Sequence, residues 1–357
     1  MINPTLGRTH RALTIVDVTV GVASATALAA VVGATAASMR TSSNEAISMA
    51  NLMQLGVSQA LYAWDHDGLQ WCGHSSDFGL SGNNCGVYLN SVACPEQMIL
   101  GWDQSGGLWG YWLGGGMCPP SYPGNCGNWS VYVPNTWESS TILTGAWHLI
   151  QARSFHNYVN GRFYDPVYYA PNDRLAYRRA SPWFDYPNEF TYNVYDSLTL
   201  SSYGMSPAAM WHPDVYRAPS AGGFRAPSTF PESFERQSLF AAMHADLKSL
   251  MFEMHWNQGG RLPPTSAFTS GEFLYNQSAD SKPISLFYDG HVWFLPNAIA
   301  IADDDSLVNR GLDGLWSRDT PLGADGFYGA QSVDGTRTSH SVLTTGGIHG
   351  RDVLKAR

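Results

Sequence analysis

Lysine is nearly missing from this chain: among 357 residues there are three, Lys248, Lys282 and Lys355. Charged residues of both signs make up only 14%, and acids outnumber bases 29 to 20, for a net charge of −9. A surface so short of cations cannot neutralise a phosphate backbone, which excludes nucleic acid as a partner. Cysteine is scarce as well. Cys72, Cys85, Cys94, Cys118 and Cys126 all lie in one glycine-rich stretch, and their spacing lacks the paired C-x-x-C of a zinc knuckle. There is no P-loop, no H-E-x-x-H and no G-x-S-x-G, so the sequence offers no signature of a phosphate-binding, metalloprotease or serine-hydrolase site. No internal repeat or low-complexity tract divides the chain into two domains.

What is present is apolar, aromatic and rich in turns. Hydrophobic residues reach 44%, aromatics 13%, and there are 36 glycines and 20 prolines. That mixture is too apolar for disorder and too loop-rich for a helical bundle, and it predicts one body of short strands and irregular backbone. Within it, "PISLFYDGHVWFL" at 283–295 reads as a hairpin, with two apolar runs flanking Asp289-Gly290. "SLFAAMHADLKSLMFEMHW" at 238–256 holds a short helix or a strand pair, and "AWHLIQARSF" at 146–155 has helical spacing.

The N-terminus has a different character. Residues 18–39 carry no charged side chain, and as a helix they would span roughly 33 Å, enough to cross a bilayer core. Arg8 and Arg11 precede this stretch and predict a cytoplasmic N-terminus. Asp17 stands at its head, where a carboxylate near lipid calls for a positive partner. Beyond it, Ala46, Ala50, Met53, Val57, Ala60 and Trp64 recur at helical spacing, which predicts a helix continuing to Trp64 with Ala46, Met53 and Val57 turned toward the body. Asp65-His66-Asp67-Gly68 then supplies the stop. An ordinary signal peptide cut after Ala34-Thr35-Ala36, or an uncut signal anchor, are the rival readings.

Ala12-Leu13-Thr14-Ile15-Val16-Asp17 resembles the processing site of type IV prepilins: a small residue, the cut, a hydrophobic residue, Thr, two aliphatics and an acid. Ala stands where that family usually has Gly, Leu where it has Phe, and Asp where it has Glu. The stretches at 51–56, 62–68 and 203–216 are similar to planctomycete-type pseudopilins. So is Asp289-Gly290-His291-Val292, the end of an H-x9-D-G element whose expected His is replaced by Ala279. The resemblance implies an α+β fold, a long N-terminal helix packed on a loop-rich, mostly antiparallel β body. It implies a leader at 1–12, a helix at 13–64 whose 13–39 part spans the inner membrane, and an exported body at 65–357 with an insertion at about 70–147. A prepilin peptidase would cut between Ala12 and Leu13 and methylate the new amine, which Asp17 of a neighbouring subunit would then meet. The partners implied are that peptidase, other pilin or pseudopilin subunits and the membrane assembly platform. The product would be a secretion pseudopilus or pilus-like fibre, with no enzymatic role and no cofactor.

Other chemistry competes with this reading. His244, Asp246, Glu253, His255, Asp289 and His291 could be gathered into a metal or hydrolase site, though their spacing does not require it. Asp303-Asp304-Asp305 with Asp313 and Asp325 is an oxygen-ligand set suited to calcium, the ion that major pseudopilins often hold in a C-terminal loop; otherwise it is a solvated acidic loop. The aromatic content fits an exported glycan-binding protein or hydrolase, and equally a core filled with rings. Export would place the cysteines in an oxidising compartment, where they form up to two disulfides. Mass spectrometry of the non-reduced, alkylated protein should therefore find fewer than five modified thiols; all five would exclude a disulfide.

Overall fold

The structure is a computed structural model that describes residues 41–73, 97, 99–104, 106, 108–110, 150–191, 199–253, 281–320, 323–324 and 341–355. Ala12, Leu13, Asp17 and the uncharged 18–39 segment lie outside the described residues, as do Cys85, Cys94, Cys118, Cys126, His255 and Asp325. Two units make up the chain, 1–44 and 45–357, so the helical residues 45–65 belong with the strands.

Residues 41–65 are helical (α1). This run has no proline and a single glycine, Gly56, and Ala, Leu, Met, Gln and Ser make up most of the rest. It ends where the sequence predicts. Asp67 and Gly68 take φ of 54° and 80°, and the Gly68 N–H returns to the Ala63 carbonyl at 2.7 Å, a left-handed stop for which glycine is the natural residue. Among the described residues no helix is long and apolar enough to cross a membrane.

The body is built on antiparallel strands. A small pair, β1 (Ile99–Trp102) and β2 (Leu108–Gly110), precedes the short helices α2 (Arg153–His156) and α3 (Arg174–Ala180). Then β3 (Tyr203–Met205), β4 (Ser249–Glu253), β5 (Ile284–Phe287) and β6 (Val292–Phe294) form one four-stranded sheet in that order, with α4 (Pro207–Met210) after β3 and α5 (Asn297–Val308) after β6. The mixture of helices and antiparallel sheets is the α+β class expected. The 283–295 hairpin forms as read: β5 and β6 pair with Ser285 opposite Trp293, and Gly290 holds φ of 89° in the turn. The 238–256 stretch, read as a short helix or a strand pair, holds one strand in its described part, β4, whose partners β3 and β5 come from elsewhere in the chain.

Strands β3, β4 and β5 are buried along their whole length, which explains why their residues read as apolar runs rather than as an alternating pattern. Opposite residues of a ladder share a face. Tyr203 lies opposite Glu253 and Met251 opposite Leu286, so these residues look out together, toward α1. The space between sheet and connections is filled by rings, among them Trp71, Trp211, Trp316, Tyr168, Tyr169, Tyr216 and Phe155, all fully buried. The C-terminal segment threads back into this core: Ser317 and Thr345 exchange backbone hydrogen bonds with Leu343 and Leu315, and the Asp352 N–H meets the Leu247 carbonyl.

The face of α1 that meets the body is not the predicted one. Leu52, Leu55, Tyr62 and Ala63 are buried, together with Ser48, Ser58 and Gln59. Met53, Val57 and Trp64 are 57%, 60% and 87% exposed, and Ala46, Ala50 and Ala60 are exposed as well. Both stripes have helical period. The inner one wins because it carries the bulkier Leu and Tyr side chains, and because the polar residues among them find partners on the sheet. Leu55→Ala should accordingly cost about 2–5 kcal/mol. Met53→Ser should stay within about 0.5 kcal/mol. Urea denaturation of the full chain, followed by tryptophan fluorescence, compares the two; equal losses would contradict this assignment of faces.

Candidate functional site

The junction between α1 and the sheet is held by a buried polar cluster. Ser48 Oγ donates to Glu253 Oε1 at 2.5 Å and lies 2.8 Å from the Tyr203 hydroxyl. One turn on, Asn51 Nδ2 donates to the Tyr203 hydroxyl at 3.3 Å and to the Tyr169 carbonyl at 3.2 Å. The other carboxyl oxygen of Glu253 accepts the Ile284 N–H at 3.0 Å, so the acid ties β4, β5 and α1 to one point. Further along, Gln59 Nε2 donates to the Trp71 carbonyl, and Arg236 donates to the Tyr62 hydroxyl at 2.6 Å. Between these contacts Gly56 lets the helix approach closely: a Cβ there would stand 2.9 Å from a methyl of Leu286.

The Ser48 hydroxyl and the Ile284 N–H, which donate to Glu253, are both neutral. Burial pushes its carboxyl up from the ordinary 4.5 to about 7; the bonds from Ser48 and Ile284 oppose that rise, while nearby Asp173 and Glu45 add to it. Asp173, which caps α3 through the Ala176 N–H, is likewise driven up to about 7 by burial, against the pull of its bonds from Ser202 and Ala176. Two buried acids near each other form an arrangement that favours the protonated state near neutral pH. They do not make a catalytic pair open to substrate, since Glu253 and Asp173 are 1% and 3% exposed.

The other candidates separate into structural roles. Glu253 lies at the end of β4 remote from the 288–291 turn, because Ser249 is the β4 residue opposite Phe287. At that turn Asp289 Oδ1 accepts from the His291 ring at 2.6 Å, and the imidazole stacks on Phe287 with centroids 4.2 Å apart. Asp246 and His291 line one shallow hollow with Trp293 and Lys355, apart from Glu253. Asp303, Asp304 and Asp305 stand on α5 rather than in a loop: Asp303 accepts the Leu354 N–H, and Asp304 accepts the Leu315 N–H and pairs with Arg318. Asp313 accepts from Ser220. Among the described residues no three His, Cys, Asp or Glu side chains gather in a way that could hold a metal ion. Cys72 is buried.

Sequence reasoning missed Ser48, Asn51 and Tyr203 as a unit. The signal that pointed there was Glu253 itself, one acid inside the apolar run "SLMFEM", which needs a partner from another element. In comparisons with family models, with curated proteins and with solved structures, nothing matches this chain.

Because the folded-state value of Glu253 is raised, its contribution to stability is fully present below about 4.5 and is lost as pH climbs to about 7. Asp173 has the same sign, whereas buried His156, lowered from 6.5 to about 4, has the opposite one, so the wild-type curve mixes them. The difference between wild type and Glu253→Gln isolates the first term. Gln retains an acceptor for Ile284 and offers Ser48 an N–H. Relative stability should move in favour of the variant by up to about 3 kcal/mol between pH 4.5 and 7 and then level off. A pH-independent difference in denaturation midpoint would contradict a neutral Glu253.

Proposed function

We propose that this chain is a pilin-like structural subunit, cut between Ala12 and Leu13, held in the inner membrane by residues 13–39, and assembled through its N-terminal helix into a pseudopilus or pilus-like fibre. The observation that carries this reading is the outer stripe of α1. Ala46, Ala50, Met53, Val57, Ala60 and Trp64 keep a strict 4-3-4-3-4 spacing on the side of the helix that the body leaves uncovered. A seven-residue repeat of this kind, built from apolar residues alone, is the pattern by which helices pack side by side. Single exposed apolar residues are ordinary, but a continuous stripe along six positions of one helix marks a contact surface.

The stripe also continues the character of the chain before it. Residues 18–39 are uncharged, so one apolar strip would pass from lipid to the exported part of a bundle without a change of partner. Asp17 then supplies the fixed point. Its carboxylate pairs with the Leu13 amine of the neighbouring subunit, and that pair sets how far one subunit stands along the fibre from the next. The competing glycan-hydrolase reading has less support, since the two acids with raised values, Asp173 and Glu253, are enclosed by the body.

Asp17→Ala should leave the body folded and abolish most of the sedimentable fibre, while Asp17→Glu, which keeps the charge on a longer arm, retains it. Wild-type fibre from Asp17→Ala would end the pairing hypothesis.

A further inference from the structure

Lys248 is the one lysine with no exposed surface among the described residues, and it is spent on Asp352. Both side chains are wholly buried. The Lys248 Nζ lies 3.1 Å from Asp352 Oδ2 and 3.3 Å from Oδ1, nearly equidistant, which sets the nitrogen facing the carboxyl group as a whole. The acid is surrounded by donors: Oδ2 accepts the Ser249 N–H at 2.8 Å and its hydroxyl at 2.5 Å, and Oδ1 accepts the Thr344 hydroxyl at 2.5 Å. On the far side of the amine, Ser206 Oγ accepts from Nζ at 2.8 Å and donates to the Ser341 carbonyl. We propose that Lys248 and Asp352 are the reacting partners of an intramolecular amide bond that ties the start of β4 to the C-terminal segment.

Each requirement of that reaction has a group to meet it. Burial disfavours the ammonium ion and lowers the lysine from its ordinary value, which supplies a neutral amine in a site closed to water. A proton passes from Nζ to Oδ1, and the nitrogen lone pair then attacks the Asp352 carboxyl carbon. The negative charge that develops on Oδ2 falls where the Ser249 N–H and hydroxyl already point, donors that need no reorganisation as it forms. Nitrogen gives up a second proton, which the Thr344 hydroxyl relays to Oδ1, and Oδ1 leaves as water. Of the three ammonium hydrogens two depart on that water, and the third remains as the amide N–H, facing Ser206 Oγ. No oxidant, cofactor or second substrate enters, and the net charge of the pair is unchanged. The fold supplies the usual substitute for an activated acid, two groups held at near-contact distance so that encounter costs no entropy.

The bond would close a loop running from Lys248 to Asp352, so the C-terminal segment could not be pulled out of the core while the amide is intact. This holds whether or not the chain forms a fibre. The test is the mass of the full chain, purified under denaturing, reducing conditions. The expected value is lighter than the sequence mass by one water, with a branched peptide joining the Lys248 and Asp352 segments after digestion. Lys248→Met and Asp352→Ala should each have their full sequence mass, and Asp352→Asn should lose one ammonia in place of water. An undiminished wild-type mass with Lys248 and Asp352 on separate linear peptides would overturn the proposal, as would a water loss that persists in Lys248→Met. The wild-type reading requires no variant to fold.

Discussion

The seating of α1 on the sheet is the constraint from which the remaining architecture follows. Leu52, Leu55 and Tyr62 contribute on the order of 1.5–3 kcal/mol each by leaving water, but apolar burial has no direction and would tolerate several rotations of the helix. Direction comes from the polar residues interleaved with them. Ser48 and Asn51 reach a hydroxyl and a carboxyl on β3 and β4, at Tyr203 and Glu253. Any other rotation would leave Glu253 buried without Ser48, at a cost comparable to the whole gain from one large side chain. Gly56 then decides how near the helix lies, and Leu286 fills the space that its missing side chain leaves.

Once that face is fixed, the opposite one is left exposed. It is nonetheless apolar, with Met53, Val57 and Trp64 mostly open to solvent. An ordinary surface helix places charge there, and this chain has little charge to place. The same helix thus carries two apolar stripes, one completing the body and the other, on the proposed reading, facing neighbouring subunits. This division links the burial pattern of α1 to the proposed assembly role.

The hairpin at 283–295 and the stop at Asp67-Gly68 were legible because local chemistry decides them: a turn and a helix end that require positive φ. The strand at β4 was legible only as an alternative, since a fully buried strand loses the alternation that distinguishes it from a helix. The inner face of α1 was not legible, because two stripes of equal period coexist and the deciding partners, Tyr203 and Glu253, are more than 150 residues away. Nor was the middle of the body, where short 3-10 turns led by Pro166, Pro213, Pro219 and Pro231 carry no hydrophobic period. The acidic run at 303–305 read as a loop because its charges obscured a helix, and two of those acids turn out to hold neighbouring backbone. Lys248 and Asp352, buried as a pair, gave no sign of each other in sequence.

If the outer stripe of α1 meets other subunits, the uncharged segment before it must remain attached in the working protein. The first residue of the mature chain therefore tests the account most directly. N-terminal sequencing of protein recovered from the producing cell should begin at Leu13, with the uncharged segment and Asp17 retained. A start at Ala37 would mean that the segment is a discarded signal, leaving the stripe from Ala46 to Trp64 without the continuation on which the assembly reading depends.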